Sequence, residues 1–96
     1  MRAKFRIGWV VVTPAALGAI EDSGQDAEYF LDRHAAGDWG EVHPLCMPLN
    51  ANALETGGRI LSQYRTLKGR TIWLLTELQR HPTTTVLLSH EYPHGE

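Results

Sequence analysis

The element order legible in this chain is β-α-α-(α)-β-β-β, which predicts a single small α+β domain with helices packed on a mostly antiparallel sheet. Three observations predict it. Residues 5–12 form a β-branched and aromatic run, helical apolar spacing is confined to residues 14–56, and strict alternation begins at Ile60. No repeat, low-complexity tract or linker divides the chain, and 96 residues leave room for one core, with 1–4 and 93–96 as loose ends.

Residues 5–12 read as a central strand, because the run is β-branched and aromatic and is bounded by charges before it and Thr-Pro after it. Thr13-Pro14 then opens a helix. The threonine oxygen can accept from free N–H groups, and proline at the first helical position sacrifices no bond. Ala16, Leu17 and Ile20 give this helix one apolar stripe, and Gly24 ends it. Asp26 is the expected cap of a second helix, in which Ala27, Phe30, Leu31 and His34 fall at i, i+3, i+4 and i+7, so that one face packs inward with His34 at its edge. Gly37 should end that helix at positive φ. Residues 38–49, with Pro44 and Pro48, read as an irregular connector. Asn50 is the expected cap of a short third helix that passes Leu54 and Thr56 and stops at Gly57-Gly58.

The period then changes. Ile60, Ser62, Tyr64 and Thr66 share one face of a strand, with Leu61, Gln63 and Arg65 on the other. Leu67-Lys68-Gly69-Arg70 reads as a reversal into a strand over 71–77, and Pro82 separates that from a last strand over 83–88. Ile72-Trp73-Leu74-Leu75 is apolar on both faces, which suits the middle of a sheet.

Nine Lys and Arg against eleven Asp and Glu leave a formal charge of −2, without the cation surplus that phosphate-backbone binding needs. This argues against direct nucleic-acid binding. The charges are unevenly placed, with seven acids against Arg33 over 21–41 and four cations without an acid over 59–70, so an acidic helical surface and a basic hairpin are expected as separate features. Cys46 is the one cysteine, which excludes an internal disulfide and fits a reducing cytoplasm. The apolar run 7–12 is too short for a membrane span. Self-association is one way for so short a chain to gain buried area.

The densest chemistry lies in "LDRHAAGDWGEVH", residues 31–43. His34, Asp38, Glu41 and His43 offer nitrogen and oxygen donors, but their spacing matches no established metal signature, so neither a metal nor another cofactor is expected. The simpler reading is a helix end in which His34 favours the dipole, Gly37 caps and Trp39 plugs the corner. On that reading Trp39 carries the stability of the corner, and loss of His34 or Asp38 leaves a folded protein. A second cluster, "ELQRHPTTT", places Glu77, Arg80 and His81 before a threonine run that could hold an anion, against the plainer reading of a solvated loop. Candidate binding residues are therefore Asp32, Arg33, His34, Asp38, Trp39, Glu41, Glu77 and Arg80. None is assigned a catalytic role.

Four blocks, "RHAAGDWGE", Asn50 with "GGRILSQY", "IWLLTE" and "TTTVLLSHEY", together resemble a group of small bacterial proteins carried on plasmids, phages and other mobile elements. The group's pattern is RHxxGDWG, NxxxxxxGxRxxSxY, WxxTExDR and TTxLLPxEY, and it spans about residues 13–92. The chain departs from it at Gln79, where the group has Asp, by one extra residue after Arg80, and at Ser89-His90-Glu91-Tyr92. The resemblance implies no activity. Taken with the small size, the segregated charge and the absence of a catalytic signature, it points to a non-enzymatic accessory protein of a mobile element that binds a protein partner, as an inhibitor or modulator of a host defence system. Two competing expectations are a RelE-like ribonuclease toxin using Arg59, Arg65, Arg70, Arg80 and His81, and a binder of small anionic ligands around Arg80 and Thr83.

Overall fold

The computed structural model describes residues 3–92. Its elements are β1 (Trp9–Val12), α1 (Pro14–Asp22), α2 (Ala27–Ala35), α3 (Cys46–Thr56), β2 (Gly58–Arg65), β3 (Thr71–Leu78), β4 (Thr83–Leu88) and a 3-10 turn at Ser89–Glu91. One four-stranded sheet runs in the order β1-β4-β3-β2, with β1 parallel to β4 and the other two pairs antiparallel. The α+β class and element order are as expected from the sequence. No helix among the described residues is long and apolar enough to cross a membrane.

Both predicted caps of the first two helices are made. The Thr13 side chain accepts from Ala16 N–H and that of Asp26 from Glu28 N–H. Each helix closes with two crossed bonds, Gly24 N–H to Glu21 O and Gln25 N–H to Ile20 O, then Gly37 N–H to His34 O and Asp38 N–H to Arg33 O. This closure needs a left-handed residue, supplied by Gly24 and Gly37 at φ 74° and 86°.

The strand register sorts the sheet into two unlike faces. Ile60, Ser62 and Tyr64 of β2, Ile72, Leu74 and Thr76 of β3, and Thr84, Val86 and Leu88 of β4 are buried on one face. Ala16, Ala19 and Ile20 of α1 with Phe30 and Leu31 of α2 complete this core. α3 lies against the opposite face near β2, where Cys46 and Leu49 line a groove with Leu61, Trp73 and Leu75. That second face stays open toward β1, whose Trp9 and Val11 are 77% and 53% exposed.

Several expectations need correction. Residues 5–12 do not form a central strand: only Trp9–Val12 is extended into the ladder, and it lies at the edge. Gly8, at φ 63°, bends the chain where a Cβ would overlap the Pro82 carbonyl, so Phe5 turns away to pack on His34 and Trp39 instead. The connector ends earlier than residue 49, because α3 begins at Cys46. Pro48 sits in its first turn, where a missing N–H costs no helical bond. Asn50 is therefore inside α3, not its cap. Of the expected loose ends, 1–2 and 93–96 lie outside the described residues, while Lys4 is tied down by its N–H to the Ala35 carbonyl at 2.7 Å.

Candidate functional site

The residues of the opening motif converge where α2 ends against β2. His34, fully buried, projects from the apolar stripe of α2 onto the sheet. Its Nδ1 lies 2.5 Å from Ser62 Oγ and its Nε2 lies 2.8 Å from Thr76 Oγ1. Thr76 Oγ1 is 2.7 Å from Thr84 Oγ1, which donates to the Ile7 carbonyl at 2.7 Å. The direction of every bond follows from that last acceptor. A carbonyl only accepts, so Thr84 spends its proton there and accepts from Thr76, which in turn accepts from Nε2–H. Neutral His34 then accepts at Nδ1 from the Ser62 hydroxyl. Burial holds this imidazole neutral, with its pKa pushed down to about 4.

A serine hydroxyl bonded to an imidazole is also the geometry of a nucleophile and its base. Here Ser62, His34, Thr76 and Thr84 are all buried, at 0% exposure, so no substrate atom can reach the serine. The chain works as a polar brace that joins α2, β2, β3, β4 and the segment ahead of β1. Sequence reading missed its three hydroxyl partners. The available signal was their position: each is a polar residue on the apolar face of an alternating strand, where burial demands a hydrogen-bonding partner.

Beyond His34 the chain turns the corner in contact with β2. Arg33 Nε donates to Asp38 Oδ2 at 2.7 Å, and its guanidinium lies over the Tyr64 ring, 4.5 Å from the centroid. The pairing holds the Asp38 carboxyl below its ordinary range. Asp38 Oδ1 also accepts from Gly40 N–H, and the Asp38 carbonyl accepts from the Tyr64 hydroxyl at 2.5 Å. Burial raises the pKa of this phenol to about 12. Trp39 is half-buried, edge-on to His34 and tilted against Phe5. The corner packs as expected, with Gly37 at positive φ and Trp39 against α2, but the deeper burial belongs to His34. His34 is sealed and fully bonded, whereas the Trp39 ring keeps partial contact with solvent.

The segment 39–41 then attaches to the outer edge of β2. Gln63 N–H donates to the Trp39 carbonyl, and Glu41 N–H donates to the Gln63 carbonyl at 2.6 Å. Gly40 is required in this approach, because at φ 67° a Cβ would overlap both the Gln63 carbonyl and the Tyr64 ring. Two residues along β2, buried Asn50 repeats the same pairing with its side chain. Its amide donates to the Leu61 carbonyl at 2.8 Å and its oxygen accepts from Leu61 N–H at 3.0 Å.

The remaining candidates do not join this cluster. Asp32 is exposed on α2. Glu41 pairs with Arg65, and Glu77 pairs with Arg59 on the sheet face opposite His34. Arg80 is exposed in the turn before β4, where Gln79 bonds the His81 carbonyl. The threonine run is divided by its strand, with Thr84 in the brace and Thr83 and Thr85 on the other face. The expected basic hairpin is not a separate surface either. Arg65 reaches Glu41, and Lys68 reaches Asp22 at 3.7 Å. His43 Nδ1 accepts from Leu45 N–H, and no group of three His, Cys, Asp or Glu among the described residues could hold a metal ion. Cys46 is half-buried.

Searches for likeness find that no family model, no curated protein and no solved structure matches this chain.

Proposed function

We propose that this protein works by binding a protein partner with a basic surface, through the acidic side of α1 and α2. One observation carries the reading: Glu21, Asp22, Asp26, Glu28 and Asp32 are all exposed on or between these helices, and among the described residues Lys68 is the one cation ion-paired to any of them. Glu28 and Asp32 are four apart on one helix face, a spacing at which like charges cost a few tenths of a kcal/mol in isolation. A partner that presents a cationic channel, such as a nucleic-acid-binding protein, offsets that repulsion and is steered by it. The narrower reading, an accessory protein of a mobile element that modulates a host defence system, rests on the motif resemblance and on this surface together.

The test uses the charge-reversed variant Glu28→Lys/Asp32→Lys, checked by thermal melting to be folded. Wild type should retain a stoichiometric basic partner from bacterial lysate, with retention lost in the variant and weakened by salt. Equal retention by both proteins overturns the acidic-face reading. Growth arrest with cellular RNA cleavage on induction, abolished by Arg80→Ala/His81→Ala, would replace it with the ribonuclease reading.

A further inference from the structure

We propose that the bare edge of β1 pairs with β1 of a second copy of this chain, antiparallel about a two-fold axis through Val11, to give one continuous eight-stranded sheet. The argument begins with which backbone groups face outward. Trp9 N–H donates to the Pro82 carbonyl and Thr13 N–H to the Val86 carbonyl, both toward β4. Bonding direction alternates along a strand, so the N–H and C=O groups of Val10 and Val12 point away from the sheet. Among the described residues β1 has one ladder partner, β4.

The register follows from what bounds this edge. Gly8 at φ 63° leaves the extended conformation on one side, and Pro14 opens α1 on the other. Val10 and Val12 are therefore the whole open ladder. Pairing Val10 with Val12 of the second copy, and Val12 with Val10, uses all four outward groups of each copy in four bonds and places Val11 opposite itself. Shifting the axis by one residue either way brings Gly8 or Pro14 into the ladder. The edge carries no charge, proline or bulge over Trp9–Val12, the devices that ordinarily keep such edges apart.

The side chains also match a second copy. Trp9 and Val11 share the face opposite the helical core, in register with Thr83 and Thr85. The two-fold brings the Val11 side chains together and lays each Trp9 ring diagonally across the other copy's Val11, within reach of an aromatic side chain. This covers a tryptophan that is 77% exposed in the single chain. A four-residue ladder buries less than the ~800 Å² per partner of a standard interface, so the pair should be weak and concentration-dependent. A two-fold normal to the sheet keeps the α1 and α2 layers of both copies on the same side.

Sedimentation equilibrium from about 1 µM to about 1 mM reads the association. Wild type should pass from monomer to dimer. Val10→Pro, which removes an outward N–H and no bond to β4, should weaken dimerisation at least tenfold while dilute samples melt like wild type. In a Cys46→Ser background, Val11→Cys should form an intermolecular disulfide on mild oxidation and Val10→Cys should not, since only position 11 faces itself. A monomer throughout the range overturns the proposal. So does a dimer that survives Val10→Pro, or equal crosslinking at both positions.

Discussion

Along β2, the backbone groups of Leu61 are met by the Asn50 side chain and those of Gln63 by Trp39 and Glu41; along β1, those of Val10 and Val12 meet no described residue. The difference lies in what flanks each strand. β2 is closed by a helix residue and a glycine-bearing corner that arrive from the preceding chain, and the motif that forms the corner is rooted in the buried His34. β1 is flanked only by a glycine bend and a helix start, which limit its length without covering it. A sheet edge is a template for further pairing; the β2 edge is occupied by the Asn50 side chain and the 39–41 backbone, and the β1 edge by no described residue. Substitutions at the closed edge should be expensive for the folded monomer, and those at the open edge should not.

The largest expected effect is at the root of the corner. His34→Ala empties a fully buried site, takes the acceptor from the Ser62 hydroxyl and leaves Thr76 with only its bond to Thr84, and an unpaired buried group costs about 1–3 kcal/mol in addition to the cavity. A loss of about 4 kcal/mol is expected by urea denaturation, a large part of a small domain's stability. Trp39→Ala, which removes a half-buried ring, should cost about half as much. If Trp39→Ala proves the more damaging of the two, the brace is not what anchors the corner.

The same residue predicts a pH dependence. Folded His34 has its pKa pushed down to about 4, against an ordinary 6.5. Between these values the unfolded chain binds a proton that the folded chain does not, so stability falls as pH drops from about 6.5 towards 4. The full window corresponds to about 3 kcal/mol. Denaturation midpoints between pH 6.5 and 5 isolate it from carboxylate titration. His34→Gln, which keeps hydrogen-bonding capacity without titrating, should flatten that slope, and an unchanged slope would place the titration elsewhere.

What the sequence disclosed follows the range of the interactions. The Thr13 and Asp26 caps and the left-handed closures at Gly24 and Gly37 each involve residues a few positions apart, and alternation over 60–66 reports a single strand's own pleat. All were legible. Asn50 was misread because its asparagine type suits a cap, whereas its partner Leu61 is eleven residues on and belongs to another element. The run over 5–12 reads as central because burial on both faces and an exposed apolar edge produce the same composition. The His34 brace spans up to 77 residues in its last bond, and only the placement of Ser62, Thr76 and Thr84 on apolar faces hinted at it. The basic hairpin is less separate than expected for a similar reason, since the Arg65–Glu41 and Lys68–Asp22 pairs depend on the hairpin folding back beside the acidic segment.

A smaller effect should appear at Asn50. Removing its side chain with Asn50→Ala leaves the Leu61 N–H and C=O without partners, and a loss of about 2 kcal/mol is expected from chemical denaturation. Asn50→Asp is the sharper variant: it can still accept from Leu61 N–H but sets a carboxylate oxygen against the Leu61 carbonyl. It should be at least as destabilising as alanine. If both variants leave stability intact, water can replace the amide and β2 is closed by the 39–41 segment alone.

The smallest effect completes the contrast at the open edge. Trp9 is the largest apolar side chain left exposed in the described chain, at 77%, and it contributes nothing to the core cluster. Trp9→Ser should therefore change the stability of the dilute monomer by no more than about 0.5 kcal/mol, as is usual for surface substitutions away from buried contacts. The same change should weaken association at high concentration, because each Trp9 ring is expected to cover the other copy's Val11. Melting curves at two well-separated concentrations distinguish the outcomes. Wild type should melt higher when concentrated, by mass action, and Trp9→Ser should lose most of that gain while keeping the dilute midpoint. A drop in the dilute midpoint of several degrees would mean that β1 is held by its own tryptophan, and that the two edges differ less than their hydrogen bonding indicates.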